Sequence, residues 1–145
     1  MYGIYNFPNK DTWRERRKFI DEEIATRNVA ECYMVNDHAS ALFFELQNCY
    51  CVGAWLSVVI LSVSIIDAHI RYCEGEAEKL ETYKLLKKYY QGDDINWLRK
   101  LRNSYVHFDE NRSTLEMNIL YTKVPKLSNE ATRALKIVVS VLFRY

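Results

Sequence analysis

Length, composition and charge place this chain among single globular domains. It has 145 residues, the length of one ordinary domain, and its 49% apolar and 27% charged residues exclude a disordered polypeptide. Because it contains only four glycines and two prolines, long helices are favoured over a many-turned β-sandwich. The net charge of +1 excludes a strong overall attraction to nucleic acid, so binding to a polyanion depends on local basic clusters.

Helical periodicity predicts five or six helices, at residues 11–27, 29–49, 54–72, 76–90, 95–108 and 129–143. The expected N-caps are Asp11 for the first helix, Asp93 or Asp94 for the fifth, and Ser128 for the last. No strong breaker separates the first two helices, so whether they are continuous stays open. The sequence predicts one all-α domain over residues 1–145, an antiparallel bundle.

Two segments carry sequence signals that point to more than one structure. Residues 52–66 are strongly apolar but shorter than the roughly 20 residues that a bilayer requires, so we expect the centre of a soluble bundle and no membrane span. Residues 114–122 alternate between apolar and polar, which favours a short extended segment, although Ser113-x-x-Glu116 is a capping box typical of a helix start. We predict an extended segment there and a break at Pro125.

The cysteines and the N-terminal residues indicate in which cellular compartment the protein is expected and whether it is expected to hold a metal or cofactor. Residues 1–8 lack a basic region followed by an apolar core, so no signal peptide is expected. Cys32, Cys49, Cys51 and Cys73 form no CxxC pair and have no histidine at zinc-finger spacing. We therefore expect free thiols in a reducing cytoplasm, and neither a metal site nor a cofactor.

Three basic clusters lie along the chain: Arg14, Arg16, Arg17 and Lys18; Lys84, Lys87 and Lys88; and Arg99, Lys100 and Arg102. The first two are expected to be solvated helix faces that nearby acids balance. The third differs because it overlaps a segment with Arg102, Asn103 and His107 on about one and a half helical turns. Guanidinium, amide and imidazole are the groups that phosphodiester cleavage needs when no metal takes part.

The geometry of the fifth helix assigns these side chains to different faces. At about 100° per residue, its buried stripe would contain Leu98, Leu101, Tyr105 and Phe108. His107 lies about 180° from Leu98, with Asn103 about 40° from His107, so these two are neighbours on the polar face. Arg102 lies at the edge of the stripe, where a partly buried guanidinium requires an anion.

Asp67 is the expected partner of that guanidinium, because it is the only acid in the apolar core of the third helix. We predict that Asp67 contacts Arg102 and fixes its orientation; the alternative is an i,i+4 ion pair between Asp67 and Arg71. Tyr105 and His69 are secondary candidates for the site, although both fit the core better.

A regular helix leaves Arg102 and His107 about 140° apart, so they do not automatically meet at one phosphate. The arginine could bend round, the helix could end before His107, or the facing group could come from a second subunit. We favour a two-fold dimer through residues 95–108, which would gather two such sets in one cleft.

The pattern Arg102-Asn103-x-x-x-His107 resembles the signature of the HEPN superfamily, which is Arg, a spacer of four to six residues, then His. The resemblance implies a helical bundle, and often a dimeric, metal-independent endoribonuclease found as a toxin beside a nucleotidyltransferase-like antitoxin, in phage defence or in CRISPR effectors. It also implies a supporting acidic or polar residue on an earlier helix, a role that Asp67 fits. Outside the motif, the resemblance covers only the helical layout.

Two functions are therefore expected from the sequence. The first is cleavage of RNA, with His107 exchanging protons, Arg102 holding the phosphate and Asn103 orienting either group. Its partners would be RNA, a second copy of the chain and an antitoxin or regulatory protein. The alternative is a non-catalytic helical module that binds a protein or nucleotide through the same face, with Arg102 in a salt bridge and His107 capping the helix.

Overall fold

The computed structural model has an all-α fold. It describes residues 7–27, 36–75, 79–90, 92–111 and 115–143. These residues form seven helices and no strand: α1 (Lys10–Ala25), α2 (Asp37–Val52), α3 (Trp55–Cys73), α4 (Thr82–Tyr89), α5 (Asp93–Val106), α6 (Ile119–Thr122) and α7 (Val124–Leu142). The predicted all-α class is confirmed.

Helix α3 forms the centre of the bundle, with α2, α4, α5 and α7 packed against it. Its buried residues are Val58, Val59, Ser62, Val63, Ile65, Ile66 and Ile70. The hydroxyl of Ser62 donates to the carbonyl of Val58 at 2.6 Å, so this buried polar group is satisfied. Among the described helices, α3 alone is long and apolar enough to cross a membrane, and its central place in the bundle is compatible with a soluble domain.

The tight connection between α2 and α3 depends on Gly53. Its φ of 83° lies in the left-handed region, where a side chain is strained. The N–H of Gly53 bonds to the carbonyl of Tyr50 at 3.1 Å, and that of Ala54 to the carbonyl of Cys49 at 2.8 Å. Because only two residues separate the helices, α2 and α3 are antiparallel neighbours.

Several predicted helix ends are corrected. Asn9 caps α1 in place of Asp11, because its side chain accepts a hydrogen bond from the N–H of Thr12 at 2.8 Å. Gly92 precedes α5, and Asp93 and Asp94 lie in its first turn, where a helix dipole favours carboxylates. Helices α2 and α4 begin at residues 37 and 82; residues 28–35 and 76–78 lie outside the described residues.

The prediction for residues 114–128 was wrong in two respects. Residues 115–122 contain no strand and end in the short helix α6, whose last residue Thr122 bonds through its N–H and its hydroxyl to the carbonyl of Asn118. Residue 114 lies outside the described residues. Pro125 does not break the chain but lies in the first turn of α7, where its missing N–H costs no hydrogen bond, so Ser128 is inside that helix and not its cap.

Candidate functional site

Helix α5 positions the Arg-Asn-x-x-x-His segment. Ile95 and Leu98 are buried and anchor α5 in the core, where it contacts α3. Arg102 and Asn103, in the last turns of α5, are half-buried. The burial of one face thus fixes the rotation of α5 and sets Arg102 at the edge of the core, as the sequence predicts.

His107 follows the last residue of α5 and is exposed. Its N–H donates to the carbonyl of Asn103 at 3.0 Å, and its ψ of 121° turns the chain out of the helix. The imidazole forms no hydrogen bond or ion pair with another described residue. It is therefore open to solvent and to a second molecule.

The same turn corrects the predicted buried stripe at its end. Phe108 was expected to continue the apolar face, but it is 86% exposed because the helix stops two residues earlier. Leu98 is fully buried, and Leu101 and Tyr105 are partly buried against the core. The apolar ring of Phe108 therefore lies on the surface directly beside His107.

Arg102 carries a buried nitrogen without a partner. Its Nε is inaccessible to solvent and forms no hydrogen bond with any described residue. An unsatisfied buried donor costs about 1–3 kcal/mol, so this arginine is costly to the isolated chain. Together with His38, Ser64, Asp67 and Thr82, it lines a cavity of about 180 Å³.

The predicted ion pair between Arg102 and Asp67 is not formed. The carboxylate of Asp67 accepts hydrogen bonds from Nε and Nη2 of Arg71 at 2.8 and 3.0 Å, so the i,i+4 alternative is the one observed. The pair lies along a single helix, where these spacings bring side chains together without any tertiary contact. Asp67 and Arg102 nevertheless line the same cavity.

The structure does not place His107 with Arg102. The cavity at Arg102 is lined by a histidine of another element, His38 in the first turn of α2, and not by His107. Sequence reasoning missed His38 because no local pattern links it to α5. The one signal was Asn36, whose side chain accepts from the N–H of Ala39 at 2.7 Å and so fixes the start of α2.

Tyr105 is directed away from this cavity, toward α7. Its hydroxyl donates a hydrogen bond to the carboxylate of Glu130, which also lies 3.8 Å from Nζ of Lys126. The pKa of Tyr105 is raised, first because the hydroxyl is buried and second because it donates that hydrogen bond to Glu130. The side chain thus links α5 to α7.

His69 is half-buried on α3. Its Nε2 lies 3.6 Å from the sulfur of Cys73, and its Nδ1 is buried with no hydrogen-bond partner in the described part of the chain. Burial lowers the pKa of this imidazole, since a dry surrounding disfavours the charged form. His69 is therefore held neutral over a wider pH range than an exposed histidine.

The described thiols and acids form no metal centre. Cys49, Cys51 and Cys73 are free, and Cys32 lies outside the described residues. Within the described ranges, no three side chains of histidine, cysteine, aspartate or glutamate are grouped to hold a metal ion.

The chain was compared with protein-family models, curated proteins and solved structures, and no match was found in any of the three comparisons.

Proposed function

We propose that this chain is a metal-independent endoribonuclease of the HEPN type. One observation carries the proposal: the segment that resembles the HEPN signature holds a half-buried arginine, followed by an exposed histidine, and neither the arginine Nε nor the imidazole has a partner among the described residues. A guanidinium with no structural partner can bind a phosphate. An exposed imidazole can exchange a proton with a substrate.

The proposed reaction uses the ribose 2′-hydroxyl as its nucleophile. His107 takes the proton of that hydroxyl, and the oxygen attacks the adjacent phosphorus. The bond from phosphorus to the 5′-oxygen breaks, and that oxygen leaves with a proton donated by an imidazolium or by water. The products are a 2′,3′-cyclic phosphate and a 5′-hydroxyl. Arg102 stabilises the charge that builds up on the phosphoryl oxygens, and Asn103 orients the phosphate or His107.

A second copy of the chain would bring the two groups together. His107 does not line the cavity of Arg102, so the proposed site combines Arg102 of one protomer with His107 of its partner, through residues 95–108 of both chains. The exposed side chains of Val106 and Phe108 beside His107 provide apolar surface for such a contact.

The proposed setting is the cytoplasm, where RNA is the substrate. Toxins and phage-defence nucleases cut cellular RNA and therefore need a restraint. We accordingly propose a cognate antitoxin or regulatory protein as a further partner of this chain. Such a protein would suppress cleavage by covering the exposed end of α5.

The direct test is cleavage of mixed RNA by the purified protein in EDTA. We expect cleavage by the wild type, 2′,3′-cyclic phosphate ends on the product, and no cleavage of DNA. His107→Ala should lower the rate at least about 100-fold, because positioned proton transfer contributes about 10²–10⁴-fold. Glu15→Ala, an exposed change on α1, is the matched control and should leave the rate unchanged.

Mixing two inactive variants tests the dimeric site. Neither Arg102→Ala nor His107→Ala should cleave RNA alone. If the site takes its arginine and its histidine from different copies, heterodimers contain one complete pair, and mixing restores part of the activity. Failure of the mixture to recover, with heterodimers verified by mass spectrometry, would contradict the shared site.

A second candidate function is a non-catalytic module that binds a protein partner. The observation that favours it is the exposure of several large apolar side chains near the end of α5 and around α6: Val106, Phe108, Met117 and Tyr121. If neither the wild type nor any variant cleaves RNA, while Phe108→Ala abolishes an association that the wild type shows in solution, the module is the correct assignment.

A further inference from the structure

Two connected hollows lie between the first turn of α2 and the second half of α3, and the smaller one also reaches the last turns of α5. The smaller is the cavity of about 180 Å³ that Arg102 lines. The larger has a volume of about 670 Å³ and is lined by Tyr72 and Lys79, among others. Both are lined by His38 and Asp67, so they form one continuous surface. The larger volume falls in the range of about 300–1,000 Å³ that small-molecule sites occupy.

The charges of this surface favour an anion. Arg71, Arg102 and Lys79 contribute three positive charges and Asp67 one negative charge, a net charge of +2 before any protonation of His38. Arg71 already donates hydrogen bonds to Asp67 and to the carbonyl of Leu80. Arg71 and Asp67 therefore form a fixed side of this surface. Arg102, whose Nε has no partner among the described residues, and Lys79 are the two cations left to meet a ligand.

An aromatic side chain lies beside the anion-favouring part. Tyr72 lines the larger hollow, and its side chain is 48% exposed. It forms no hydrogen bond or ring contact with another described residue, so its ring is open for stacking. A cationic pocket next to an exposed ring is the combination that single-stranded nucleic acids bind, because every base presents an aromatic face.

We propose that these hollows bind one nucleotide of the RNA strand, with its phosphate between Arg102 and His38 and its base on Tyr72. The inference rests on the proposed function for the identity of the strand, and on the geometry for the place. It adds a positioning histidine from α2 and a stacking tyrosine from α3 to the Arg-Asn-x-x-x-His segment of α5. The phosphate contacts fix the register of the strand, and the stacked base contributes affinity that tolerates many sequences.

Binding of an uncleavable strand tests this site without requiring catalysis. The probe is a fluorescein-labelled octamer of 2′-O-methyl adenosine, whose blocked 2′-oxygen cannot attack the phosphate. We expect Tyr72→Ala to raise the Kd measured by fluorescence anisotropy at least about five-fold, the low end for the loss of one base–aromatic stack. Tyr72→Phe keeps the ring and should bind as the wild type does.

Tyr83→Ala is the matched control, because Tyr83 is 47% exposed but lies on α4 outside both hollows. It should leave the Kd of the octamer unchanged. His38→Ala should raise that Kd, and its exposed position in the first turn of α2 makes a folding defect easy to exclude by circular dichroism. Arg102→Gln should reduce the slope of log Kd against log salt by about 0.7, the value for one phosphate contact on a single strand.

Competition separates a nucleotide site from a simple anion site. AMP carries both a phosphate and a base, and it should displace the octamer at lower concentration than inorganic phosphate does. If inorganic phosphate competes as well as AMP, or if Tyr72→Ala and His38→Ala both bind the octamer as the wild type does, the nucleotide site is wrong.

Cleavage of ordinary RNA in EDTA, measured on the same preparations, keeps the two proposals apart. Cleavage that depends on His107, together with octamer binding that ignores Tyr72 and His38, would overturn the nucleotide site and leave the nuclease standing. Binding that depends on Tyr72 and His38 without any cleavage would support the nucleotide site and overturn the nuclease. Failure of the wild type to bind the octamer at all also overturns the nucleotide site.

Discussion

The basic residues of α1 and of α5 differ in what they contact. In α1, Arg17 bonds to Gln47 and Asp21 at 2.7 and 2.6 Å, and Lys18 lies 3.6 Å from Glu22. Two further basic residues of α1 also have partners: Arg14 has a distant acid, Asp11, and Arg16 has the carbonyl of Cys51 and the ring of Trp55. In α5, Arg99 packs over Tyr83, but Nε of Arg102 has no partner in the described part of the chain.

The difference separates structural cations from a cation that remains available. A surface cation that pairs with a nearby acid contributes little to the free energy of folding, and the acid balances its charge, as the sequence predicts for the cluster of α1. A buried nitrogen without a partner destabilises the isolated chain, and an anion that binds the same guanidinium offsets part of that cost. Substitution of Arg102 should therefore affect catalysis and stability differently from substitution of the partnered cations of α1.

The largest expected effect is on catalysis. Arg102→Gln removes the positive charge at the phosphate and should lower kcat for RNA cleavage by about 10²–10³-fold, the cost of losing one group that stabilises the transition state. Arg14→Gln removes an equal charge whose nearest acid is 4.0 Å away, and it should leave kcat unchanged. Equal losses in the two variants would show a general charge effect and would break the comparison.

For the free energy of unfolding, substitution of the α1 arginine Arg17 should cost more than substitution of Arg102. Arg102→Met removes the orphaned donor while keeping a long apolar side chain, so the free energy of unfolding should stay constant or rise by about 1 kcal/mol. Arg17→Met loses the bonds to Gln47 and Asp21 and should lower it by about 1 kcal/mol. Urea unfolding measures both. A clear destabilisation by Arg102→Met would mean that the guanidinium has a structural role.

The fold could be predicted where a periodic apolar pattern dominates. Helix α3 was expected at residues 54–72 and lies at Trp55–Cys73, because burial on most sides leaves no competing structure. Predictions that depended on single residues were less accurate. The first turn of a helix tolerates a proline such as Pro125, and a lone alternating segment among the described residues has no partner strand to pair with. Local signals of equal strength pointed both ways at these sites.

The candidate site could be predicted only as far as one helix extends. The sequence places Arg102, Asn103 and His107 on or just after α5, since helix geometry is local. It could not place His38 beside Arg102, because the packing of α2 on α3 brings them together and no sequence pattern encodes that contact. It favoured Arg102 over Arg71 as the partner of Asp67, whereas the local i,i+4 pair with Arg71 is the one that forms.

The smallest expected effect concerns His69, whose Nδ1 is another buried nitrogen without a partner among the described residues. A histidine can relieve its burial by staying neutral, whereas an arginine cannot lose its proton. The pKa of His69 is lowered by burial, so below its ordinary value of about 6.5 the unfolded chain binds more protons than the folded chain. Stability should therefore fall as the pH drops below about 6.5, with a slope under ~1.4 kcal/mol per pH unit, that of one full proton.

Urea unfolding of His69→Gln at pH 7.5 and 5.5 measures this contribution, with the exposed His38→Gln as control. The pH dependence should be shallower in His69→Gln than in the wild type and unchanged in His38→Gln. If His69→Gln keeps the full dependence, burial does not hold this imidazole neutral. An orphaned nitrogen would then not by itself mark a group under electrostatic strain, and only its sequence pattern and its cavity would distinguish Arg102 from the cations of α1.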